Sequence, residues 1–204
     1  PAQIGHAMNP SREDLENLPD ATLRYQPGFL LPKEAESLFG EIKSQTPWRQ
    51  DTIRLFGKTF QQPRLTALYG KNGQAYTYSG ILMEPLPFTP LLEDLLHRVS
   101  IAAGEKFTTC LLNLYRDGSD SNGWHADDEP ELGNNPVIAS LSLGASRKFH
   151  LKHRRIKSQR VRMNLESGSL LLMAGTTQHH WLHQVPKTKR PVGPRINLTF
   201  RRLG

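Results

Sequence analysis

Residues 124–128 and 179–183 contain side-chain types that can bind a metal ion. His125 and Asp127 lie two residues apart, and on an extended strand residues with this spacing point to the same face. One imidazole and one carboxylate can then bind a common metal ion. A third ligand must come from another segment, where His179, His180 and His183 are candidates. Alternation along a strand places His179 and His183 on one face and His180 on the other, so the choice of third ligand stays open.

Two histidines and one carboxylate leave positions open on the metal, as in non-haem Fe(II) oxygenases. The open positions accept a chelating cosubstrate and dioxygen. Thiolate ligation, which would favour structural zinc, is limited to the single cysteine, Cys110. A His-x-Asp pair also occurs by chance in many proteins, and the histidines could equally lie on a solvated edge strand.

A second polar group lies near the end of the chain, where strand alternation separates polar from apolar side chains. The polar face would carry Arg195, Asn197, Thr199 and Arg201, and the apolar face Ile196, Leu198 and Phe200. Two guanidinium groups beside an amide and a hydroxyl can hold a dicarboxylate through charge-assisted, bidentate hydrogen bonds. Asn113 and Tyr115 share the same spacing one strand before the metal motif. The alternative is a solvent-facing strand on a basic protein.

The elements that must position these residues are mainly short strands. They are predicted at residues 108–115, 137–143, 148–153, 160–165, 169–173, 180–185 and 195–201. Many short strands without intervening helices favour a sandwich, a jelly roll or a barrel. Two helices are predicted earlier, one around the apolar stripe from Ala35 to Ile42 and one between Thr89 and Gly104. Residues 54–80 are predicted to form β-hairpins, with turns at 56–58 and 71–73.

Length and composition limit the class of protein. The chain has 204 residues, which corresponds to about one domain at roughly 150 residues per domain. Its net charge of +7 favours polyanionic partners, nucleic acid first. No apolar run approaches the roughly 18 residues that cross a bilayer. We expect a flexible N-terminal arm (1–20), a single domain (21–204), and a monomer that is not secreted, cytoplasmic in a bacterium or nuclear in a eukaryote.

The chain resembles the AlkB family of Fe(II)/2-oxoglutarate-dependent dioxygenases, which repair alkylated nucleic acid. The resemblance rests on Asn113-x-Tyr115, His125-x-Asp127, His183 and Arg195-x-Asn197-Leu198-Thr199-Phe200-Arg201, which occur in this order. It covers roughly residues 23–202, and within the family it is greatest to the second and third animal AlkB homologues.

This resemblance implies a mainly β fold with flanking helices (α+β), a double-stranded β-helix or jelly-roll core at about 107–202, and a nucleotide-recognition lid at about 50–82. It implies that His125, Asp127 and His183 bind Fe(II). It also implies that 2-oxoglutarate, a cosubstrate together with O2, is held by Asn113, Tyr115, Arg195, Thr199 and Arg201, with Asn197 nearby.

The implied reaction is oxidative dealkylation of bases such as 1-methyladenine and 3-methylcytosine in single- or double-stranded DNA. Decarboxylation of 2-oxoglutarate would be coupled to hydroxylation of the alkyl carbon and release of formaldehyde, on a base flipped out of the stack. The implied substrate contacts are a hairpin finger of Phe56, Gly57 and Lys58, base-binding walls at Tyr76 and Tyr78, and acidic groups at Asp128 and Glu129.

Basic runs at 152–155 and 187–190 would bind phosphates. Three alternatives stay open: an oxygenase of the same class that acts on RNA or protein, a catalytically silent nucleic-acid-binding module, and a metal-dependent jelly-roll isomerase.

Overall fold

A computed structural model describes residues 8–71, 73, 75–78 and 80–204 of the chain. Within them the helices are α1 (Arg12–Glu16), α2 (Pro32–Gln45), α3 (Pro90–Ala103) and α4 (Thr177–His180). The strands are β1 (Thr22–Gln26), β2 (Thr52–Leu55), β3 (Lys58–Gln61), β4 (Leu65–Gly70), β5 (Tyr76–Tyr78), β6 (Ile81–Met83), β7 (Thr109–Tyr115), β8 (Asn122–His125), β9 (Ile138–Gly144), β10 (Arg147–His153), β11 (Arg160–Leu165), β12 (Leu170–Ala174), β13 (Trp181–Val185) and β14 (Arg195–Arg201).

Two antiparallel sheets form the core. The larger sheet has the strand order β1-β12-β9-β14-β7-β4, and the smaller has the order β11-β10-β13-β8. Side chains from both sheets pack together between them, among them Leu111 and Ile138 from the larger sheet and Phe149 and Leu151 from the smaller. The hairpins β2–β3 and β5–β6 are separate two-stranded units. The predicted jelly-roll core with flanking helices is confirmed.

Helices α2 and α3 pack their apolar sides against one face of the larger sheet. Helix α3 begins with Pro90, and the Thr89 hydroxyl accepts a hydrogen bond from the backbone N–H of Leu92, which satisfies a donor at the helix start. The helix buries four residues of the predicted stripe, Leu92, Leu95, Leu96 and Val99. No helix in the described part of the chain is long and apolar enough to cross a membrane.

Strand boundaries near the site differ from the sequence prediction in two places. Strand β8 ends at His125, so Asp127 follows the strand instead of lying on it. His180 ends the short helix α4 instead of opening a strand. The turn predicted at 56–58 is present, with Lys58 as the first residue of β3. The turn predicted at 71–73 includes Asn72, which lies outside the described residues.

An N-terminal arm is predicted over 1–20; its residues 8–20 pack on the core, and residues 1–7 lie outside the described residues. Helix α1 has a capping box in which Ser11 and Asp14 exchange hydrogen bonds. Leu15 is only 2% exposed and belongs to the core between the sheets. The indole N–H of Trp181 donates to the Pro19 carbonyl oxygen at 2.9 Å. The buried Leu15 and several hydrogen bonds to the core, among them those of Asn9 with the Asn164 backbone, thus hold a segment whose composition is polar.

Candidate active site

The two strands β8 and β13 bring the predicted metal ligands together. They pair antiparallel with His125 opposite His183, and the two imidazole rings have centroids 4.3 Å apart. Asp127 turns in just after β8, which puts its Oδ2 atom 3.8 Å from His183 Nε2. One ligand atom from each of His125, Asp127 and His183 lies within 4.8 Å of the other two. A single ion can therefore contact all three.

The protonation states of these groups suit metal binding. Burial would raise the pKa of Asp127, but Arg201 and the two histidines outweigh it and lower the pKa to about 2. Burial, together with the neighbouring His125, lowers the pKa of His183 to about 3. Burial also lowers the pKa of His125. At neutral pH the carboxylate is ionised and the imidazoles are neutral, which are the forms that bind metals.

Hydrogen bonds orient two of the three ligands. The Nδ1 atom of His125 lies 2.7 Å from the Gly123 carbonyl oxygen, so Nδ1 carries the proton and Nε2 keeps its lone pair for an ion. Arg201 Nη2 donates to Asp127 Oδ1 at 2.7 Å, and the backbone N–H of Asp127 donates to Gln178 Oε1 at 2.8 Å. Asp127 is thus held by both its side chain and its backbone.

The polar face of β14 lines the cavity in front of the metal ligands. This cavity is lined by Arg195, Asn197, Thr199 and Arg201 together with Asn113, Tyr115, His125, Asp127 and His183. Strand β14 pairs with β7 so that Arg195 is opposite Tyr115 and Asn197 is opposite Asn113. All seven residues of β14 are buried, which excludes the alternative of a solvent-facing strand.

Arg195 is a buried cation without a carboxylate partner among the described residues. Its side chain donates from Nη2 to Ser142 Oγ at 2.9 Å and lies over the Tyr115 ring, while Nε and Nη1 have no hydrogen-bond partner. Burial lowers the pKa of Arg195 to about 10. A buried, unpaired charge is unfavourable, so this site favours an incoming anion. The unpartnered N–H groups of this guanidinium can donate to a carboxylate of a dicarboxylate.

Asn197 and Thr199 form a network of their own beside Arg195. The Asn197 amide donates to Ser140 Oγ at 2.6 Å, and the Thr199 hydroxyl donates to Asn197 Oδ1 at 2.6 Å. This network fixes both side chains at the cavity wall.

Two buried residues at the site were missed from the sequence. Arg64 donates from Nε to Asn113 Oδ1 and from Nη1 to the Ser121 carbonyl oxygen, both at 3.1 Å, and so orients the Asn113 amide. Gln178 holds the Asp127 backbone, as described above. Neither lies in a motif with ligand spacing, and both reach the site through tertiary contacts.

The predicted substrate residues take different positions. Tyr78 is buried, with its hydroxyl 3.4 Å from His125 Nε2, and it lines the cavity. Tyr76 is also buried, its hydroxyl lacks a partner in the described structure, and burial raises its pKa. Glu129 has a buried, unpartnered Oε2 atom, and burial and then Asp127 raise its pKa. Asp128 is exposed and pairs with Arg154 at 3.0 Å, and its predicted base contact stays a prediction.

The lid residues Phe56 and Gly57 form the two-residue turn of the β2–β3 hairpin. Both have positive φ, 49° for Phe56 and 76° for Gly57, and the Phe56 side chain is fully exposed. Lys58 follows as an exposed residue at the start of β3.

A second cluster of possible ligands, Asp20, His153 and His180, was not predicted. His153 Nδ1 accepts the backbone N–H groups of Arg155 and Ile156. Its Nε2 therefore carries the proton and donates to Asp20 Oδ2 at 3.0 Å. A protonated nitrogen has no lone pair for a metal, so the cluster is a hydrogen-bonded contact that holds Asp20.

Comparison with known proteins places this geometry in a family. The family described as the 2OG-Fe(II) oxygenase superfamily matches residues 22–201. Alpha-ketoglutarate-dependent dioxygenase alkB homolog 3 of Bos taurus is 46% identical over 184 residues, which cover 86% of this chain and 64% of that protein. DNA oxidative demethylase ALKBH2 of Mus musculus is 39% identical over 180 residues, 83% of this chain and 75% of that protein. The chain belongs to the AlkB family of these oxygenases.

Structural comparison agrees at the level of the fold. The structure of OsALKBH1 superposes on this AlkB-family chain with a TM-score of 0.62 at 19% identity, covering 88% of this chain and 96% of that one. The resemblance predicted from the sequence is confirmed, and Fe(II) and 2-oxoglutarate are the cofactor and cosubstrate in the superfamily's name. The chain spans 64% of the length of the alkB homolog 3 relative from Bos taurus.

Proposed function

We propose that this AlkB-family protein is an Fe(II)/2-oxoglutarate-dependent dioxygenase that dealkylates bases such as 1-methyladenine and 3-methylcytosine in DNA. The observation that carries the proposal is the buried, unpaired Arg195 beside the cluster of His125, Asp127 and His183. A metal-dependent isomerase has no need for such an anion site. The relatives named alkB homolog 3 and DNA oxidative demethylase ALKBH2 support the choice of reaction and substrate.

His125, Asp127 and His183 would hold the iron. When bound, Fe(II) supplies the oxidation of the alkyl carbon by O2, with 2-oxoglutarate decarboxylated to succinate. The hydroxylated methyl group then leaves the base as formaldehyde.

The residues of the cavity bind and orient the cosubstrate and exclude water. Arg195 binds one carboxylate of 2-oxoglutarate through its unpartnered guanidinium donors, against the face of Tyr115. Asn113, oriented by Arg64, offers its amide N–H groups to the same ligand. Arg201 holds Asp127 in its ionised form. Because these groups are buried, their charges act at low effective dielectric and bind the dicarboxylate strongly.

The alkylated base must leave the nucleic-acid stack to reach the cavity. A base methylated on its Watson–Crick edge pairs poorly, which lowers the cost of extrusion, a cost of about a few kcal/mol for an ordinary base. Tyr76 and Tyr78 supply aromatic walls next to His125, and Glu129 supplies an acidic neighbour for a cationic lesion.

Phe56 at the tip of the β2–β3 hairpin is suited to enter the gap that the base leaves. A bulky residue with positive φ is strained, and full exposure gives it no packing energy in return. Apolar side chains inserted between base steps are an established way to hold a distorted duplex. The basic runs at 152–155 and 187–190 would bind phosphates on either side.

The proposed partner is DNA, single- or double-stranded, with RNA as the alternative substrate of the same chemistry. We further propose that residues 21–204 act as one domain, with a lid at about 50–82 and a core at about 107–202. The protein would act as a monomer in the compartment that holds the DNA, cytoplasmic in a bacterium or nuclear in a eukaryote.

The test is incubation with Fe(II), 2-oxoglutarate, ascorbate and a 1-methyladenine oligonucleotide, with an unmethylated oligonucleotide as control. We expect succinate and formaldehyde in equal amounts and the appearance of adenine, measured by mass spectrometry. Succinate without dealkylation of DNA or RNA would refute the substrate class. Oligonucleotide binding without any succinate would refute the enzyme and support a silent binding module.

A further inference from the structure

The outer side of the smaller sheet carries a continuous set of basic side chains. Along β10 and β11 the inward positions are buried, and the outward positions are exposed or half-exposed. The outward residues are the cations Lys148, Lys152, Arg160 and Arg162 and the imidazole of His150. Trp124 lies on the same side of β8, opposite in direction to the inward His125. We call these six residues the outer basic face.

No acid balances this charge within the sheet. None of the four strands β8, β10, β11 and β13 contains an aspartate or a glutamate. Lys148, Lys152, Arg160 and Arg162 make no salt bridge among the described residues. A surface that only needed to be soluble would carry charges of both signs.

The strand register brings like charges face to face. Lys152 lies directly opposite Arg160, and these two side chains carry the same charge. Like charges in directly opposed positions destabilise a sheet. Burial, together with Arg162 and Lys148, lowers the pKa of His150, as expected where the local potential is positive. A polyanion on this face would remove the repulsion.

Trp124 adds an aromatic surface at the end of the face nearest the active site. It keeps 38% of its surface exposed, although the Lys152 ammonium lies 4.3 Å from the centre of its ring. Its neighbour in the chain is the ligand residue His125. Aromatic rings beside cations are the combination with which proteins bind single-stranded nucleic acid without sequence preference.

The dimensions of the face suit a short run of nucleotides. Four strands spaced about 4.8 Å apart span about 14 Å from Trp124 to Arg162, a length that a few nucleotides of a single strand can cover. At the end of the β10–β11 hairpin the face continues into a cleft lined by Lys152, Arg154, Lys157 and Arg160.

We propose that the outer basic face binds single-stranded DNA that flanks the flipped nucleotide, with one base on Trp124 and the phosphates along Lys148, Lys152, Arg160 and Arg162. The inference rests on the proposed function for the position of the flipped base. It predicts a substrate-binding surface that lengthens the footprint on a single strand beyond the active site.

The experiment measures dissociation constants of metal-free, full-chain protein for unmodified 16-nucleotide and 3-nucleotide single-stranded DNA by fluorescence anisotropy. For the double variant Lys148→Ala/Arg162→Ala we expect about tenfold weaker binding of the 16-mer and less than twofold change for the 3-mer. The salt dependence of 16-mer binding should fall by about 1.4 in slope, at about 0.7 for each phosphate that the variant no longer neutralises. The matched control, Lys33→Ala/Lys43→Ala, removes two exposed cations from α2 and should bind like wild type.

A second measurement tests the aromatic contact. Binding of the 16-mer should quench tryptophan fluorescence in wild type, and Trp124→Phe should lose the quenching while keeping the affinity within about twofold. Trp124→Ala should weaken 16-mer binding about fivefold or more, as expected when one base no longer stacks.

Several results would overturn the proposal. The first is unchanged 16-mer binding in Lys148→Ala/Arg162→Ala, or an equal loss of binding in the control variant. The second is a loss of affinity that this double variant shows for an RNA 16-mer and not for the DNA 16-mer. The third is displacement of the DNA by a polyglutamate peptide of equal charge. Because the DNA is unmodified and no iron is added, these results are independent of dealkylation. Failure of the proposed function would instead appear as absence of turnover on a methylated oligonucleotide.

Discussion

The two arginines on the polar face of β14 have opposite electrostatic surroundings. Arg201 is paired with Asp127, and that carboxylate raises the pKa of Arg201 against the effect of burial. Arg195 is equally buried but donates to Ser142 and lies over Tyr115, with no carboxylate partner among the described residues, and burial lowers its pKa. The same residue type therefore has two tasks on one strand: one guanidinium holds a protein carboxylate, and the other is free to bind a ligand carboxylate.

Replacing Arg195 should weaken cosubstrate binding and leave the metal site intact. For Arg195→Ala we expect the KM for 2-oxoglutarate to rise about 100-fold, since hydrogen bonds to charged groups contribute about 1.5 to 3 kcal/mol. The KM of Arg195→Lys should lie between those of wild type and Arg195→Ala, because lysine keeps the charge and loses the planar pair of donors. Steady-state kinetics with 2-oxoglutarate as the varied substrate measures this. An unchanged KM in both variants would remove Arg195 from the cosubstrate site.

Replacing Asp127 should abolish metal binding and turnover. Asp127→Asn keeps the shape of the side chain but removes the charge, and Asp127→Ala removes the ligand altogether. We expect Mn(II) affinity, measured by calorimetry, to fall by about 100-fold or more, because a facial site with two ligands holds its ion poorly. The control is Asp128→Asn, the exposed neighbour, which should bind Mn(II) like wild type. Full activity of Asp127→Ala would show that another carboxylate is the ligand.

A period of two predicted the shared face of Arg195 and Arg201 but left the third candidate metal ligand open. Strand β14 is regular, so a period of two was enough to place Arg195 and Arg201 on one face. The third metal ligand could not be chosen in this way, because His179 and His180 lie in helix α4, where strand alternation does not hold. Arg64 and Gln178 are distant in sequence and enter the site only when the sheets assemble.

At the scale of single elements, the β2–β3 hairpin has an unusual backbone conformation at its turn, Phe56-Gly57. Its turn has positive φ at two successive residues, as expected for the turn type that matches the twist of a hairpin. Glycine at the second position adopts this conformation easily, but phenylalanine at the first does not.

Shortening the tip of this hairpin should separate the two kinds of substrate. We expect Phe56→Ala to lower kcat/KM on methylated duplex DNA about tenfold and on single-stranded DNA less than twofold, because only a duplex needs its stack held open. Repair assays on matched single- and double-stranded oligonucleotides measure the ratio, and Phe60→Ala on the same hairpin is the control for reduced apolar surface. Equal losses of kcat/KM on both substrates would show that Phe56 stabilises the fold of the lid and does not contact the duplex.

The end of β9 shows how closely an element must fit to support the cavity. Gly144 has φ of 82°, and a Cβ atom there would lie 2.6 Å from both Phe39 Cε2 and the Pro194 carbonyl oxygen. Gly144 is also the register partner of Arg195. Helix α2 and the start of β14 therefore both come close to the backbone at this residue.

Gly144→Ala should therefore be destabilising. We expect the free energy of unfolding to fall by about 2 kcal/mol or more, through overpacking and strain at positive φ. Thermal unfolding should show a Tm lower by roughly 4 to 8 °C. Gly40→Ala in α2, where a Cβ meets no atom within 4 Å, is the matched control and should raise stability by about 0.5 to 1 kcal/mol. A Gly144→Ala protein as stable as wild type would contradict the packing described here.

Among the strands, the sequence predicted β7 and β9 to β14 with ends within about one residue, gave only a hairpin region for β2 to β6, and missed β1 and the end of β8. Strand β1 has the exposure pattern of an edge strand and little apolar alternation. The end of β8 is set by the turn that brings Asp127 to Arg201, a contact between residues 74 positions apart. The alternation of polar and apolar residues along a strand does not predict contacts between residues this far apart in the sequence.

At the scale of the whole molecule, the core is a pair of sheets with unequal coverage. The larger sheet is covered by α2 and α3, and the smaller sheet presents its cationic side to solvent. The cavity lies between the sheets, with the candidate metal ligands His125 and His183 on the smaller sheet and the polar face of β14 on the larger. Ligand binding between the two layers should therefore stabilise the molecule as a whole.

Metal-free protein should gain thermal stability from a dicarboxylate. At a concentration of an unreactive analogue such as N-oxalylglycine about 100 times its Kd, binding contributes about 2.7 kcal/mol. This should raise the Tm by about 5 to 10 °C in differential scanning fluorimetry with EDTA present. Acetate is the control ligand, and Arg195→Ala is the control protein. A Tm that does not respond to the analogue in wild type would show that the buried guanidinium does not attract dicarboxylates.

The hydrogen bond from Arg201 to Asp127 joins a residue of the cosubstrate strand to a residue of the metal cluster. We expect a metal ion bound by Asp127 to change the position of Arg201, which lines the cavity proposed for the dicarboxylate, and a bound dicarboxylate to change the position of Asp127. Affinities for the two must then be coupled, and thermodynamic reciprocity requires that each strengthens or weakens the other by the same factor. Titrating the dicarboxylate at several fixed Mn(II) concentrations, and Mn(II) at several fixed dicarboxylate concentrations, should return a single coupling constant, which Arg201→Lys should bring toward one.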